Sequence, residues 1–154
     1  MKTPALVISL LAVALGGCLG SAPPAPKNWM LDAAVDAKVK YVVVNAPYDG
    51  RSFTVLRADG TVAFDRLNVF AAAPSSLLKG RVTASDGVGT LTVEELCLDC
   101  RRPGERLARV CLRLEGAGRS RTGSASVSAA DGNYSRAFTA AFVQAYGRLF
   151  AAAE

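Results

Sequence analysis

The chain has 154 residues, a hydrophobic share of 51% and a formal net charge of +5. That size suits one domain able to bury a core of its own. Histidine is absent, which removes the commonest general base and the commonest metal ligand, and after the first 20 residues no apolar run approaches the roughly 18 needed to span a bilayer as a helix.

Lys2 precedes an apolar run from Ala5 to Leu15, which at 11 residues falls short of the roughly 17 to 25 that cross the hydrocarbon core. Basic start, apolar middle and small residues after it are the layout of an export signal that is cut away. At its end, Leu15-Gly16-Gly17-Cys18 resembles the bacterial lipobox, whose cysteine sulfur receives a diacylglycerol before cleavage leaves it as the acylated N-terminus. Several acyl chains on Cys18 would anchor the chain durably. Leu19 stands where aspartate favours inner-membrane retention in enteric bacteria, so the expected location is the periplasmic face of the outer membrane. The chain then divides into a signal peptide at 1–17, an acylated N-terminus and flexible Pro/Ala linker at 18–36, and a single α+β domain at 37–154. "LGSAPPAPK", ending at Lys27, is the core of that linker.

Within the domain, Lys38–Ala46 is a β-branched and aromatic run closed by turn residues Pro47, Asp49 and Gly50. Asp59-Gly60 between Phe53–Leu56 and Val62–Phe64 predicts a hairpin. A helical turn is expected around Ser75–Lys79. A second hairpin reverses at Pro103-Gly104, with Leu96 and Leu98 on one arm and Val110, Leu112 and Leu114 on the other facing a common core. Another strand fits Thr122–Ala129, where Ala125 and Val127 alternate with serines. Tyr134, Phe138, Ala141, Phe142, Ala145, Leu149 and Phe150 recur at helical spacing, with Asp131 or Asn133 to cap the start. The expected fold is α+β: an antiparallel sheet of about five to six strands built from hairpins, with a C-terminal amphipathic helix packed on one face.

Cys97-Leu98-Asp99-Cys100 has CxxC spacing, yet lacks the ligands for zinc, the histidine for haem attachment and the helix start of a redox motif. In an oxidising compartment a disulfide is the alternative. If the hairpin pivots on Gly104, Cys97 and Cys111 lie opposite each other; Cys100 is the competing partner for Cys111, and free thiols are the third outcome. Arg101, Arg102, Arg106, Arg109 and Arg113, with Arg119 and Arg121 beyond, are flanked only by Glu105 and Glu115. This patch reads either as a docking surface for an acidic partner or lipid phosphates, or as a solvated edge that resists strand pairing. There is no Gly-rich phosphate loop, and no lysine is spaced to serve a serine nucleophile, so neither enzyme activity nor a cofactor is expected. Nucleic acid is not an expected partner for an exported lipoprotein.

The lipobox at Cys18, "APYDGRSFTVLRADGTVAFDRLNVFAAAPSSLL" from Ala46, "LCLDCR" from Leu96 and "DGNYSRAFTAAFVQAYGRLF" from Asp131 carry a family likeness. The chain resembles the ABC-type transport auxiliary lipoproteins, the PqiC-like partners of MCE-type (mammalian cell entry) lipid transporters. The resemblance implies a non-catalytic component that docks a periplasmic MCE protein at the outer membrane, and through it an ABC permease and ATPase. It makes the arginine cluster the expected docking surface and is compatible with a homo-oligomer. Lys79–Gly89 departs from the family, leaving no room for the longer helix and further strand usual after "LL". The alternative is a stand-alone periplasmic lipoprotein that binds a lipid or assists outer-membrane assembly; a thiol-based redox lipoprotein is a weaker third.

Overall fold

The structure, a computed structural model, describes residues 22–151. The signal peptide and Cys18 lie outside them. The described elements are β1 (Lys27–Trp29), β2 (Tyr41–Val44), β3 (Ser52–Leu56), β4 (Val62–Phe70), α1 (Pro74–Val82), β5 (Thr90–Asp99), β6 (Leu107–Gly116), β7 (Arg119–Ser128) and α2 (Tyr134–Ala151).

One seven-stranded sheet runs in the order β1-β4-β3-β5-β6-β7, with β2 also on β5. The class is α+β, but the sheet is mixed, which corrects the expected antiparallel architecture: β1 with β4, β2 with β5 and β3 with β5 are parallel pairs. α1 carries the chain from the end of β4 past β3 to its free side. β5 therefore runs antiparallel to β4 and parallel to β3, which the hairpin had already set antiparallel to β4; β2, in line with β3 along β5, takes the same direction. β2 and β3 lie end to end along β5, on Thr90–Val93 and Cys97–Asp99, and the loop between them sits across a bulge in β5 at Glu94.

The hairpins form where the turn residues place them. Asp59 Oδ1 accepts hydrogen bonds from the Thr61 backbone and hydroxyl at 2.9 and 2.6 Å, and Gly60 takes φ 79°. Between β6 and β7, Ala117 (φ 50°) and Gly118 (φ 74°) make a two-residue turn with both central residues left-handed, whose twist matches the flanking strands. The helical turn expected at Ser75–Lys79 is the middle of α1. Pro74 starts it, and the Asp49 carboxylate accepts from Ser75 N and Oγ at 2.8 and 2.9 Å, a cap supplied from a distant loop.

Residues 27–36 do not behave as linker. β1 pairs with Asn68–Phe70, Trp29 Nε1 donates to Asn68 Oδ1 at 3.0 Å, and Leu31 and Ala33 are 1% and 0% exposed. Proline and alanine dominate the stretch ahead, but Trp29, Leu31 and Ala33 sit at alternate positions, the period that puts side chains on one face of an extended chain.

The β5–β6 register corrects the expected cysteine pairing. The ladder closes at Asp99↔Leu107, so Cys97 faces Arg109 and Cys111 faces Glu95. The reversal centres one residue before Gly104, which moves every pair from Glu95 to Asp99 by two. Cys97 and Cys111 become diagonal neighbours, about 7–8 Å apart for such positions and beyond disulfide reach. All three described cysteines are free thiols.

α2 crosses the inner face of β6 and β7. Tyr134, Ala137, Phe138, Ala141, Phe142, Ala145, Tyr146 and Leu149 are buried, the expected stripe plus Ala137 and Tyr146, while Phe150 is half-buried. Asn133 caps the helix, its Oδ1 accepting from Arg136 N at 3.1 Å, and Asp131 Oδ1 in turn accepts from Asn133 N. Phe53 anchors the aromatic centre of the core, with ring centroids 4.6 Å from Phe70, 5.1 Å from Phe138 and 5.6 Å from Tyr134. Such tilted and edge-on contacts add to the burial term.

Candidate functional site

With α2 on the inner face, the side chains that alternate outward on β2 to β7 form an open surface. On β7 these are Ser120, Thr122, Ser124, Ser126 and Ser128, opposite Glu115, Arg113, Cys111, Arg109 and Leu107 of β6. On β5 they include Thr92, Cys97 and Asp99, together with Glu94 and Glu95 at the bulge.

The arginine cluster lies here, but its charge is largely answered within the chain. Arg109 Nε is 2.6 Å from Glu95 and its Nη1 is 3.9 Å from Asp99; Arg113 reaches Glu94 at 2.9 Å and Glu115 at 3.3 Å. Arg101 forks onto Asp99, with Nε and Nη2 at 2.9 and 2.6 Å. Arg102 pairs with Glu105 at 3.8 Å, and Arg106 donates to the Tyr134 hydroxyl at 3.1 Å. Glu95 Oε2 and Arg113 Nε are buried and make no directed hydrogen bond, so their contacts are coulombic. Counting carboxylates along the hairpin misses Glu94, Glu95 and Asp99 because they reach the arginines across the ladder.

The local field sets the titrating groups. Arg101's hydrogen bonds hold the Asp99 carboxyl below its ordinary range. Burial, reinforced by Glu95, pushes the Cys97 thiol up to about 12. Cys100 and Cys111 are raised too, chiefly by burial. The Tyr48 hydroxyl is raised chiefly by burial and feels Cys97 and Glu95, so the loop between β2 and β3 leans over this part of the face. A thiol attacks and binds metal as its thiolate, and burial here outweighs the arginines that would stabilise one. Among the described residues no group of three or more Cys, Asp and Glu is arranged to hold a metal ion, and no helix is long and apolar enough to cross a membrane.

Around this charged centre the same face carries apolar side chains that the sequence reading did not single out. Tyr41 and Val43 of β2 and Val62 and Phe64 of β4 are 47% to 59% exposed. Register puts Val43 beside Thr92, and Phe64 beside Thr54 and hence Cys97. A signal for them was present: Tyr41-Val42-Val43-Val44 is apolar on both faces, a pattern of strands covered on both sides.

No family model matches the chain, and no curated protein matches it. Solved structures do. A protein from Xanthomonas campestris, of the family model DUF330, aligns over 79% of this chain and 86% of its own, with a TM-score of 0.50 and 16% identity. An uncharacterized protein aligns over 68% and 80%, with a TM-score of 0.42 and 16% identity. This chain therefore has the α+β fold of the Xanthomonas DUF330 protein.

Proposed function

We propose that the chain is a non-catalytic envelope lipoprotein, anchored through Cys18, that docks the periplasmic MCE protein of an ABC-type lipid transporter at the outer membrane. The observation that carries the reading is the open sheet face, with Tyr41, Val43, Val62 and Phe64 half exposed around an ion-paired centre. Apolar side chains that leave a sheet face uncovered mark an interaction surface more than a catalytic one. The fold likeness and the motifs at Cys18, Ala46–Leu78, Leu96–Arg101 and Asp131–Phe150 support the same reading.

The docking contact is assigned to the apolar rim, with the arginines setting orientation. Reversing Arg109 and Arg113 would set new carboxylates against Glu94 and Glu95, confounding docking with stability. The cleaner test is Val43→Ser with Phe64→Ser in the full acylated protein, followed by affinity capture from gently solubilised envelope and mass spectrometry. Wild-type protein is expected to recover an MCE protein with its permease and the variant to lose both. Recovery of lipid or unrelated envelope proteins alone by the wild type would overturn the reading.

A further inference from the structure

The tip of the β6–β7 hairpin lies beside the end of the described part of α2. Leu114 pairs with Arg121 and Gly116 with Arg119, so these positions lie on the inner face. There Lys38, Val88, Leu114, Gly116, Ala117, Arg119, Arg121 and Phe150 enclose a groove of about 560 Å³, within the range of small-ligand sites. A second hollow of about 330 Å³, lined by Val35, Asp36, Val143, Tyr146 and Gly147 among others, meets it at Lys38 and Phe150.

From this we infer that the groove is a binding site for an anionic amphiphile, a phosphate- or carboxylate-headed molecule with an alkyl chain. Arg119, Arg121 and Lys38 would take the head and the apolar floor the chain. Among the described residues three cations line the larger groove and no carboxylate does. The negative groups nearby are partly engaged. Asp36 lies 3.3 Å from Lys38, and the Leu149 carbonyl at the helix end accepts from Arg121 Nη1 at 3.2 Å. Glu115 projects from the other face of β6 toward Arg113. Arg121 has five N–H donors, so one bond to Leu149 leaves the rest for a ligand. Lys38 Nζ also sits 5.2 Å from the Phe150 ring centroid, holding one cation at the seam of polar rim and apolar floor. A free anion would leave Val88, 62% exposed, and the half-buried Leu114 and Phe150 wet; a neutral alkyl chain would leave the cations unmatched. An amphiphile satisfies both. The site lies on the opposite face from the proposed docking rim and stands without that reading.

The test holds the acylated full-length protein in phosphatidylcholine nanodiscs and exposes it to dodecyl phosphate carrying a diazirine in its chain, below its critical micelle concentration. Cross-links are mapped by peptide mass spectrometry. Labelling is expected on peptides containing Val88 and Phe150, with half-saturation raised about tenfold by Arg119→Glu, the cost of about one charge-assisted contact. Val88→Asp, an exposed position, is expected to weaken labelling similarly and covers the case in which Arg119→Glu disturbs folding, which circular dichroism reads directly. Inorganic phosphate at equal concentration is expected not to compete. Equal labelling by the dodecyl phosphocholine analogue, labelling spread along the chain, or insensitivity to both variants would overturn the proposal. Full competition by inorganic phosphate would make the site one for free anions and overturn it as well. Transporter capture is scored separately, so the two readings fail independently.

Discussion

Gly123 shows how one missing side chain sets the distance between helix and sheet. A Cβ built there would overlap the backbone carbonyl oxygen of Ala145, which cannot swing aside, whereas a Cβ at Gly147, on the same helix, meets nothing within 4 Å. Gly123→Ala is therefore expected to lose about 1–3 kcal/mol by forcing α2 off β7. Gly147→Ala is expected to gain about 0.5–1 kcal/mol from helix propensity. Urea melts of the two variants check the contrast.

Cys97 supplies a second expectation at this scale. With its thiol pushed up to about 12, it carries almost no thiolate near neutral pH, so iodoacetamide at pH 8 should leave it unlabelled in the folded protein and label it in urea. Labelling of folded Cys97 at the rate of a free thiol would contradict the burial argument. Asp99 works in the opposite direction. Its folded pKa is depressed by Arg101, so its contribution to stability is present above the unfolded carboxyl value and lost as pH falls through the folded one. Asp99→Asn should lower the urea midpoint at pH 7 and flatten its decline below about pH 4, the ordinary carboxyl range.

At the scale of elements, β1 is the informative case. It follows directly on the Pro/Ala stretch, and only the alternation of Trp29, Leu31 and Ala33 hints that the chain from here on is pinned to the core. Leu31→Ala is expected to cost about 2–5 kcal/mol, as buried Leu truncations do, where a linker position would cost nothing measurable. A thermal melt decides between them. The hairpin turns and the α2 stripe were legible because their signals are local: a left-handed glycine, a capping asparagine, a spacing of three and four. Strand direction was not, since nothing in the residues of β4 and β5 says that α1 will carry β5 to the far side of β3 and not beside β4. The cysteine register failed for a similar reason: a shift of one residue in the reversal between β5 and β6 moves every partner from Glu95 to Asp99 by two.

For the whole molecule, the asymmetry of the sheet matters most. One face holds α2 and the aromatic core; the other holds ion pairs, hydroxyls and a rim of half-exposed apolar residues. Phe64→Ser should leave the melting temperature within about 2 °C of wild type, since surface changes of this kind stay within about 0.5 kcal/mol. A larger drop would mean that the rim belongs to the core and not to an interface.

By itself the sequence determined the α+β class, the hairpin turns, the amphipathic terminal helix and the clustering of arginines, because each is written in neighbouring residues or in a short period. Only the tertiary structure decided that the sheet is mixed, that Leu31 and Ala33 belong to the core, that Cys97 faces Arg109, and that Glu94, Glu95 and Asp99 answer the arginines. Those facts depend on which strand lies beside which. Cross-strand pairing joins residues far apart in the chain, and the free energy that selects it comes from burying the inner face as a unit rather than from any one segment's preference.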